Sequence, residues 1–200
     1  MVGSVFAIPR RTSNRVNPVA RTRGTGIVSR NGVATPLAHF IGGPENALAE
    51  LAAVCVTDQW VRFNPLLISG SAGVGKTHLL HCLLEAAQNL YPDLRSLWLT
   101  GADYARSIAN GIDVDSLGDV RTTHRAVDLL ILDGLHELAA KPLAQLELVH
   151  TIDVLLEQEG QVIVTSRSAL DELNSLLPAL ASRLASGLHI PIVPPAAATR

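Results

Sequence analysis

The stretch GSAGVGKT, Gly70 to Thr77, constrains this chain more than any other feature. It fits the pattern G-x-x-x-x-G-K-[ST] at every fixed position. It also lies between an apolar run, PLLIS (Pro65–Ser69), and an amphipathic one, KTHLLHCLLEAAQNL (Lys76–Leu90). A strand that feeds a helix through a glycine-rich turn aims backbone N–H groups and a helix N-terminus at one point, where a phosphate is well held. Gly70, Gly73 and Gly75 allow the turn. Lys76 brings a mobile full charge to the β- and γ-phosphates of a nucleotide, and the Thr77 hydroxyl can ligate Mg²⁺. A chance glycine turn has no reason to carry both the strand and the helix context.

From Thr35 onward, short apolar runs alternate with longer amphipathic stretches, the pattern of a parallel sheet covered by helices on both faces. Five strands are expected: PLLIS (Pro65–Ser69), SLWLT (Ser96–Thr100), DLLILD (Asp128–Asp133), QVIVTS (Gln161–Ser166) and LHIPIV (Leu188–Val193). Apolar residues at three and four spacing predict helices over Glu45–Val56, Lys76–Leu90 and Leu143–Gln158, with Gly160 stopping the last. The third run ends in Asp133. A carboxylate closing a buried strand is costly unless it meets water, a metal or a partner, and a phosphate-binding loop requires such an acid for its metal shell.

With 200 residues and 48% hydrophobic content, the chain has ample material for one core. No apolar run approaches the roughly 18 residues of a membrane span, and MVGSVFAIPRR lacks the form of an export signal. Cys55 and Cys82 sit in apolar helical patterns without metal-like neighbours, so they read as core thiols in a reducing compartment, and the expected location is the cytoplasm. The net charge of −2 is uneven: residues 1–34 hold six arginines and no acid. That arm is expected to be a flexible, solvated tail, since Pro, Ser, Asn, Thr and Gly dominate it. A track for DNA phosphates is the alternative, and an organelle transit peptide is a third reading that the motifs below disfavour.

Several stretches together resemble the AAA+ core of the bacterial replication initiator family DnaA, from about Thr35 to Arg200. FIGGPENALA (Phe40–Ala49) is similar to the family's F-V-x-G-x-x-N entry segment, and NPLLISGSAGVGKTHLLHCL (Asn64–Leu83) to N-P-L-F-I-Y-G-x-x-G-x-G-K-T-H-L-L-H-A. HRAVDLLILDGLHEL resembles R-S-V-D-x-L-L-I-D-D-I-Q-F-L, LVHTIDVLLEQEGQVIVTS resembles F-F-H-T-F-N-x-L…Q-I-V-L-T-S, and ASRLASGLHIPIVPPAAATR resembles S-R-F-x-W-G-L…P-P-x-x-x-T-R. The resemblance implies an α/β fold, a three-layer P-loop NTPase of AAA+ type with a five-stranded, mainly parallel sheet. It implies ATP and Mg²⁺ as ligands, held by Gly70, Ser71, Ala72, Gly73, Val74, Gly75, Lys76, Thr77 and His78, with Thr77 and Asp133 on the metal. Thr165 and Ser166 fall on the sensor strand that reports on the γ-phosphate. Arg183 falls on the arginine finger, which reaches the ATP of an adjacent subunit, so self-association or assembly with other AAA+ subunits is expected in the ATP state.

Three departures modify that expectation. Gly134 stands where the family has a second aspartate, whose loss removes a general-base contribution typically worth about 10² to 10⁴ in rate. Glu137 and His136 lie near in sequence, and Glu137 is the first substitute to weigh, if the loop returns it to the site. Arg167 replaces an aspartate after the Thr-Ser pair. Finally, the sequence given ends at the fifth strand, so the helical lid and the origin-reading domain of the family are expected to be missing from a core of residues 35–200. The segment Gly101–Ala126, which in the family contacts single-stranded DNA, holds few basic residues here. The expected function is therefore Mg-ATP binding with slow or absent hydrolysis in replication initiation or its regulation, with DNA reached through the full-length protein or the basic arm. Two alternatives stand: a non-enzymatic nucleotide-dependent adaptor, and a helicase-loader ATPase of the DnaC/IstB type.

Overall fold

A computed structural model of the chain describes Ala52 and residues 63–169 and 175–194. Five strands, β1 (Leu66–Ser69), β2 (Ser96–Thr100), β3 (Leu129–Asp133), β4 (Gln161–Ser166) and β5 (Leu188–Pro191), form one sheet in the order β2-β3-β4-β1-β5. Every pairing in it is parallel. The helices are α1 (Lys76–Leu90), α2 (Gly101–Asp113), α3 (Leu117–Arg125), α4 (Pro142–Glu157) and α5 (Pro178–Ala185), with a 3₁₀ turn over Leu135–Leu138. The expected strands all form. The predicted helices over Lys76–Leu90 and Leu143–Gln158 form within a residue of their expected limits, and that over Glu45–Val56 lies, but for Ala52, outside the described residues.

Strand alternation sorts the core into two layers. Leu66 and Ile68 of β1, with Leu129 and Ile131 of β3 and Ile163 of β4, face α1 through Leu79, Leu80, Leu83 and Ala87. Leu67, Leu130, Leu132, Val162 and Val164 point the other way, onto Tyr104 and Ile108 of α2, Leu148, Ile152 and Leu155 of α4, and Leu180 and Leu184 of α5. Because both faces are covered, the central strands read as unbroken apolar runs. Cys82 is buried in the first layer as a free thiol, and Cys55 lies outside the described residues.

Three polar devices hold the strands in register. Asn64 donates from Nδ2 to the Gly160 carbonyl at 2.6 Å, and its Oδ1 accepts the Val162 N–H at 2.9 Å, which locks the start of β1 to the start of β4. The Gly70 N–H donates to the Ser166 carbonyl, carrying the β1–β4 contact past the end of β1. On the other flank the Ile192 N–H donates to the Ser69 carbonyl at 2.7 Å. Gly70 is packed so tightly there that a Cβ on it would lie 2.3 Å from the Ile192 carbonyl oxygen, a distance no side chain tolerates.

Helices α2 and α3 were not expected as distinct elements. Thr100 caps α2: its Oγ1 accepts the Asp103 N–H at 3.0 Å and donates to the Asp103 carboxylate at 2.8 Å. Helix α3 is anchored by Arg121 and Arg125, which both pair with Glu147 of α4. Those guanidiniums, Arg121 first, hold the Glu147 carboxyl below its ordinary value. Arg106 pairs with Asp103, so all three arginines of residues 101–126 are engaged in ion pairs.

Candidate nucleotide site

The loop after β1 takes the course its sequence dictates. Gly73 and Gly75 have φ of 80° and 98°, and Gly75 precedes the first turn of α1, which has no side-chain cap. A helix N-terminus with no side-chain cap is suited to meet an anion. Lys76 Nζ lies against the loop itself, donating to the carbonyls of Gly70 at 2.7 Å and Ser71 at 2.8 Å. Burial lowers its ammonium from the ordinary lysine value; Asp133 opposes that shift and Arg167 adds to it.

Three chain segments converge beside this loop. Asp133, at the end of β3, accepts the Thr77 hydroxyl on Oδ2 at 2.8 Å and the Thr165 hydroxyl on Oδ1 at 2.5 Å. Thr165 is fully buried, and the same hydroxyl accepts the Gly134 N–H at 2.9 Å. Residues 77, 133 and 165, 56 and 32 positions apart, thus form one clasp around a single carboxylate. Ser166 is buried but stands outside the clasp; its Oγ accepts the Ser168 N–H at 3.3 Å. Of the remaining loop residues, Val74 is buried, and Ser71, Ala72 and His78 lie on the exposed side.

The donor set fits a magnesium-bound nucleotide. Mg²⁺ is commonly held by one or two protein oxygens and substrate phosphates, with water completing the shell. Thr77 and Asp133 place a hydroxyl and a carboxylate side by side at the mouth of the loop. Among the described residues there is no cluster of three or more His, Cys, Asp or Glu able to hold a metal without a ligand's help.

The turn after Asp133 decides what lies on the far side. Gly134 has φ 92° and ψ 60°, a left-handed conformation that glycine adopts without strain. It swings the chain into the 3₁₀ turn, where Leu135 and Leu138 are buried and His136 and Glu137 point back toward α2 and the loop. The Glu137 carboxylate lies beside Gly134, and its Oε2 accepts the Ala102 N–H at 2.7 Å and so caps the start of α2. His136 is half-buried, with its Nδ1 enclosed and without a hydrogen-bond partner. Burial, then Arg167, lowers His136 from the ordinary histidine value, Lys76 adding to the shift while Glu137 and Asp133 oppose it. Arg167 therefore stands close enough to the loop to act on both Lys76 and His136, and its effect on the site is added positive charge.

Arg183 is not part of this constellation. It lies on α5, half-exposed, and its Nε pairs with Asp153 of α4 at 2.6 Å. Reading along the sequence identified the loop, Asp133 and Thr165, and left His136 as a residue of unknown course. The signal that would have placed it is Gly134, a residue suited to a reversed backbone directly after the acid.

Known proteins similar to this chain in sequence and fold are consistent with the geometry. Residues 35–191 match the family described as the bacterial DnaA ATPase domain. The chain is 35% identical over 163 residues to the chromosomal replication initiator protein DnaA of Thermus thermophilus, covering 81% of this chain and 37% of that protein. It superposes on domain III of the Thermotoga maritima replication initiation protein DnaA with a TM-score of 0.77 at 32% identity, over 80% of this chain and 67% of that one. A replication initiator DnaA bound to AMPPCP and single-stranded DNA matches with a TM-score of 0.73 at 28% identity, over 82% of this chain and 50% of that one. The DnaC helicase loader shares the fold alone, at 20% identity and a TM-score of 0.65 over 80% of this chain and 97% of that one.

Proposed function

We propose, for a chain that belongs to the bacterial DnaA family of AAA+ ATPase domains, that the site binds Mg-ATP and serves as a nucleotide-dependent assembly switch in replication initiation or its regulation. The observation that carries this reading is the clasp of Thr77 and Thr165 on Asp133, set against an intact phosphate loop. One carboxylate there links the metal-side hydroxyl to the sensor hydroxyl, so a γ-phosphate that displaces either one is felt by the other strand. Lys76, now resting on loop carbonyls, has the reach and charge to turn onto phosphate oxygens. Magnesium, held by Thr77 with Asp133 in its shell, would supply charge neutralisation between the β- and γ-phosphates.

Hydrolysis is slow in this reading, because Gly134 provides no acid at the position where the family pattern has one. Arg183 is read as serving a neighbouring subunit's nucleotide, being half-exposed on α5 in an ion pair with Asp153. The chain spans 37% of the length of its Thermus relative, and whole-protein tasks such as origin recognition belong to what a longer protein would add. Single-stranded DNA is not assigned to residues 101–126, whose arginines are all committed to carboxylates. A second reading, a non-enzymatic adaptor, is favoured by Gly134 alone.

Calorimetric titration tests the first reading: Mg-ATP is expected to bind with an affinity that falls when magnesium is chelated. Sedimentation velocity then tests assembly. ATP-dependent growth in size is expected for the wild type and lost for Arg183→Ala; growth that persists in the variant refutes the role of the finger. Binding and assembly without turnover above the uncatalysed rate would select the adaptor.

A further inference from the structure

Six arginines fall among the described residues, and five of them, Arg95, Arg106, Arg121, Arg125 and Arg183, are paired with carboxylates. The sixth, Arg167, is exposed and has no carboxylate partner among the described residues. A lone surface arginine is ordinary; what sets this one apart is its position. Strand β4 runs parallel to β1 with Ser166 in register with Ser69, the residue before the phosphate loop. The Gly70 N–H then donates to the Ser166 carbonyl at 3.2 Å. That carbonyl belongs to the peptide bond between Ser166 and Arg167, so Arg167 leaves its strand directly against the first residue of the loop.

Strand alternation sets the side on which it leaves. Ile163 packs in the layer of α1. Two residues on, the Thr165 hydroxyl lies 2.5 Å from Oδ1 of Asp133, whose other oxygen takes the hydroxyl of Thr77 on α1. The same period of two puts position 167 next in line on that face, at the carboxyl ends of the strands, where open α/β sheets hold their ligands. The charge is felt there as well: Arg167 adds to the lowering of Lys76 by burial, against the opposing pull of Asp133.

We propose that Arg167 binds the γ-phosphate of the nucleotide held by its own subunit, so that the site keeps ATP in preference to ADP. The proposal rests on the reading of this site as an ATP site and names what that site distinguishes. A terminal phosphate offers a guanidinium fork two oxygens at once, and ADP has none at that place. Where the family pattern has aspartates, this chain has Gly134 and Arg167. Both changes remove negative charge from the end of the site that faces the most negative group of the nucleotide, and Arg167 adds a cation. The loss that slows hydrolysis and the gain that holds the γ-phosphate thus act in one direction, toward ATP retained rather than consumed.

The test is calorimetric titration of the full chain with Mg-ATP and with Mg-ADP, at concentrations where sedimentation shows a single subunit. Arg167→Ala is expected to weaken Mg-ATP binding about tenfold, the low end for a charged hydrogen bond, as suits an exposed group. Mg-ADP is expected to stay within about twofold, since no contact to its phosphates is removed. Arg167→Lys keeps the charge without the fork and is expected to recover part of the loss. Thermal unfolding without nucleotide is expected to be the same for wild type and both variants, which separates lost binding from lost folding. Three results overturn the assignment to Arg167 and leave the ATP site standing: a wild type with no preference for ATP, an Arg167→Ala variant whose two affinities are unchanged, or one that weakens both nucleotides equally. A loss confined to assembled protein gives the arginine to a neighbouring subunit and overturns the contact within one subunit. A wild type that binds neither nucleotide overturns the site itself.

Discussion

The two sides of the nucleotide site are built in different ways. The side that grips phosphate, Gly70 to Thr77, is one contiguous stretch whose glycines, lysine and threonine keep the family pattern without change. The side that would handle water draws on three separate segments, Asp133 to Leu138, Thr165 to Arg167 and the start of α2. Both of the departures near the γ-phosphate, Gly134 and Arg167, fall on this second side. A local motif has little room to vary, because each residue acts on the same phosphate through its own backbone. A side assembled from distant segments can lose a group at one position while the others keep their places on separate strands and helices.

That contrast can be broken first at the gripping side. Lys76→Ala removes the loop's charged donor, and Mg-ATP affinity is expected to fall roughly 10- to 100-fold, equivalent to the about 1.5–3 kcal/mol of a charged hydrogen bond. Calorimetry checks it, and a loss under twofold would mean that another group shares the grip. A smaller effect is expected from Thr165→Val on the water side. It strips Asp133 of one donor and leaves the buried Gly134 N–H unpaired, for a stability loss of about 2 kcal/mol in urea unfolding. If the loss is negligible, the clasp is not a structural unit.

Smaller again is the effect of Gly134→Asp, which returns the family residue to a backbone shaped around glycine. The left-handed φ and the crowding against His136 are expected to cost about 1 kcal/mol of stability. Turnover is expected to gain little from the added acid, since its Cβ would lie 3.3 Å from Cε1 of His136 on a backbone set for glycine. A variant as stable as the wild type and markedly faster would show that the backbone is indifferent to the substitution and that the acid alone had been wanting.

Much of this was legible before any coordinates. The five strands are short apolar runs closed by turn residues, and α1 begins where the loop motif ends, so periodicity and motif agree on one answer. Helix α5, PALASRLA, is only eight residues long, too short for its spacing to distinguish it from a loop. Helix α2 begins with glycine, and its start depends on a Thr100 cap and on Glu137 from a distant segment. Sequence spacing weighs Glu137 as a substitute for the missing acid; the fold brings its carboxylate beside Gly134 and also uses it to accept the Ala102 N–H at the start of α2, a contact only tertiary structure shows. Where His136 and Glu137 lie depends on the reversal of the backbone at Gly134, which sequence spacing does not convey.

The packing of Gly70 against Ile192 carries a mechanical consequence. The first residue of the phosphate loop and the strand by which the chain leaves the sheet touch backbone to backbone, with no side chain between them to absorb movement. A loop that shifts when it closes on a nucleotide must therefore push or draw on Ile192 and whatever follows it. The sheet's outgoing edge works as a stiff lever whose short arm rests in the nucleotide site.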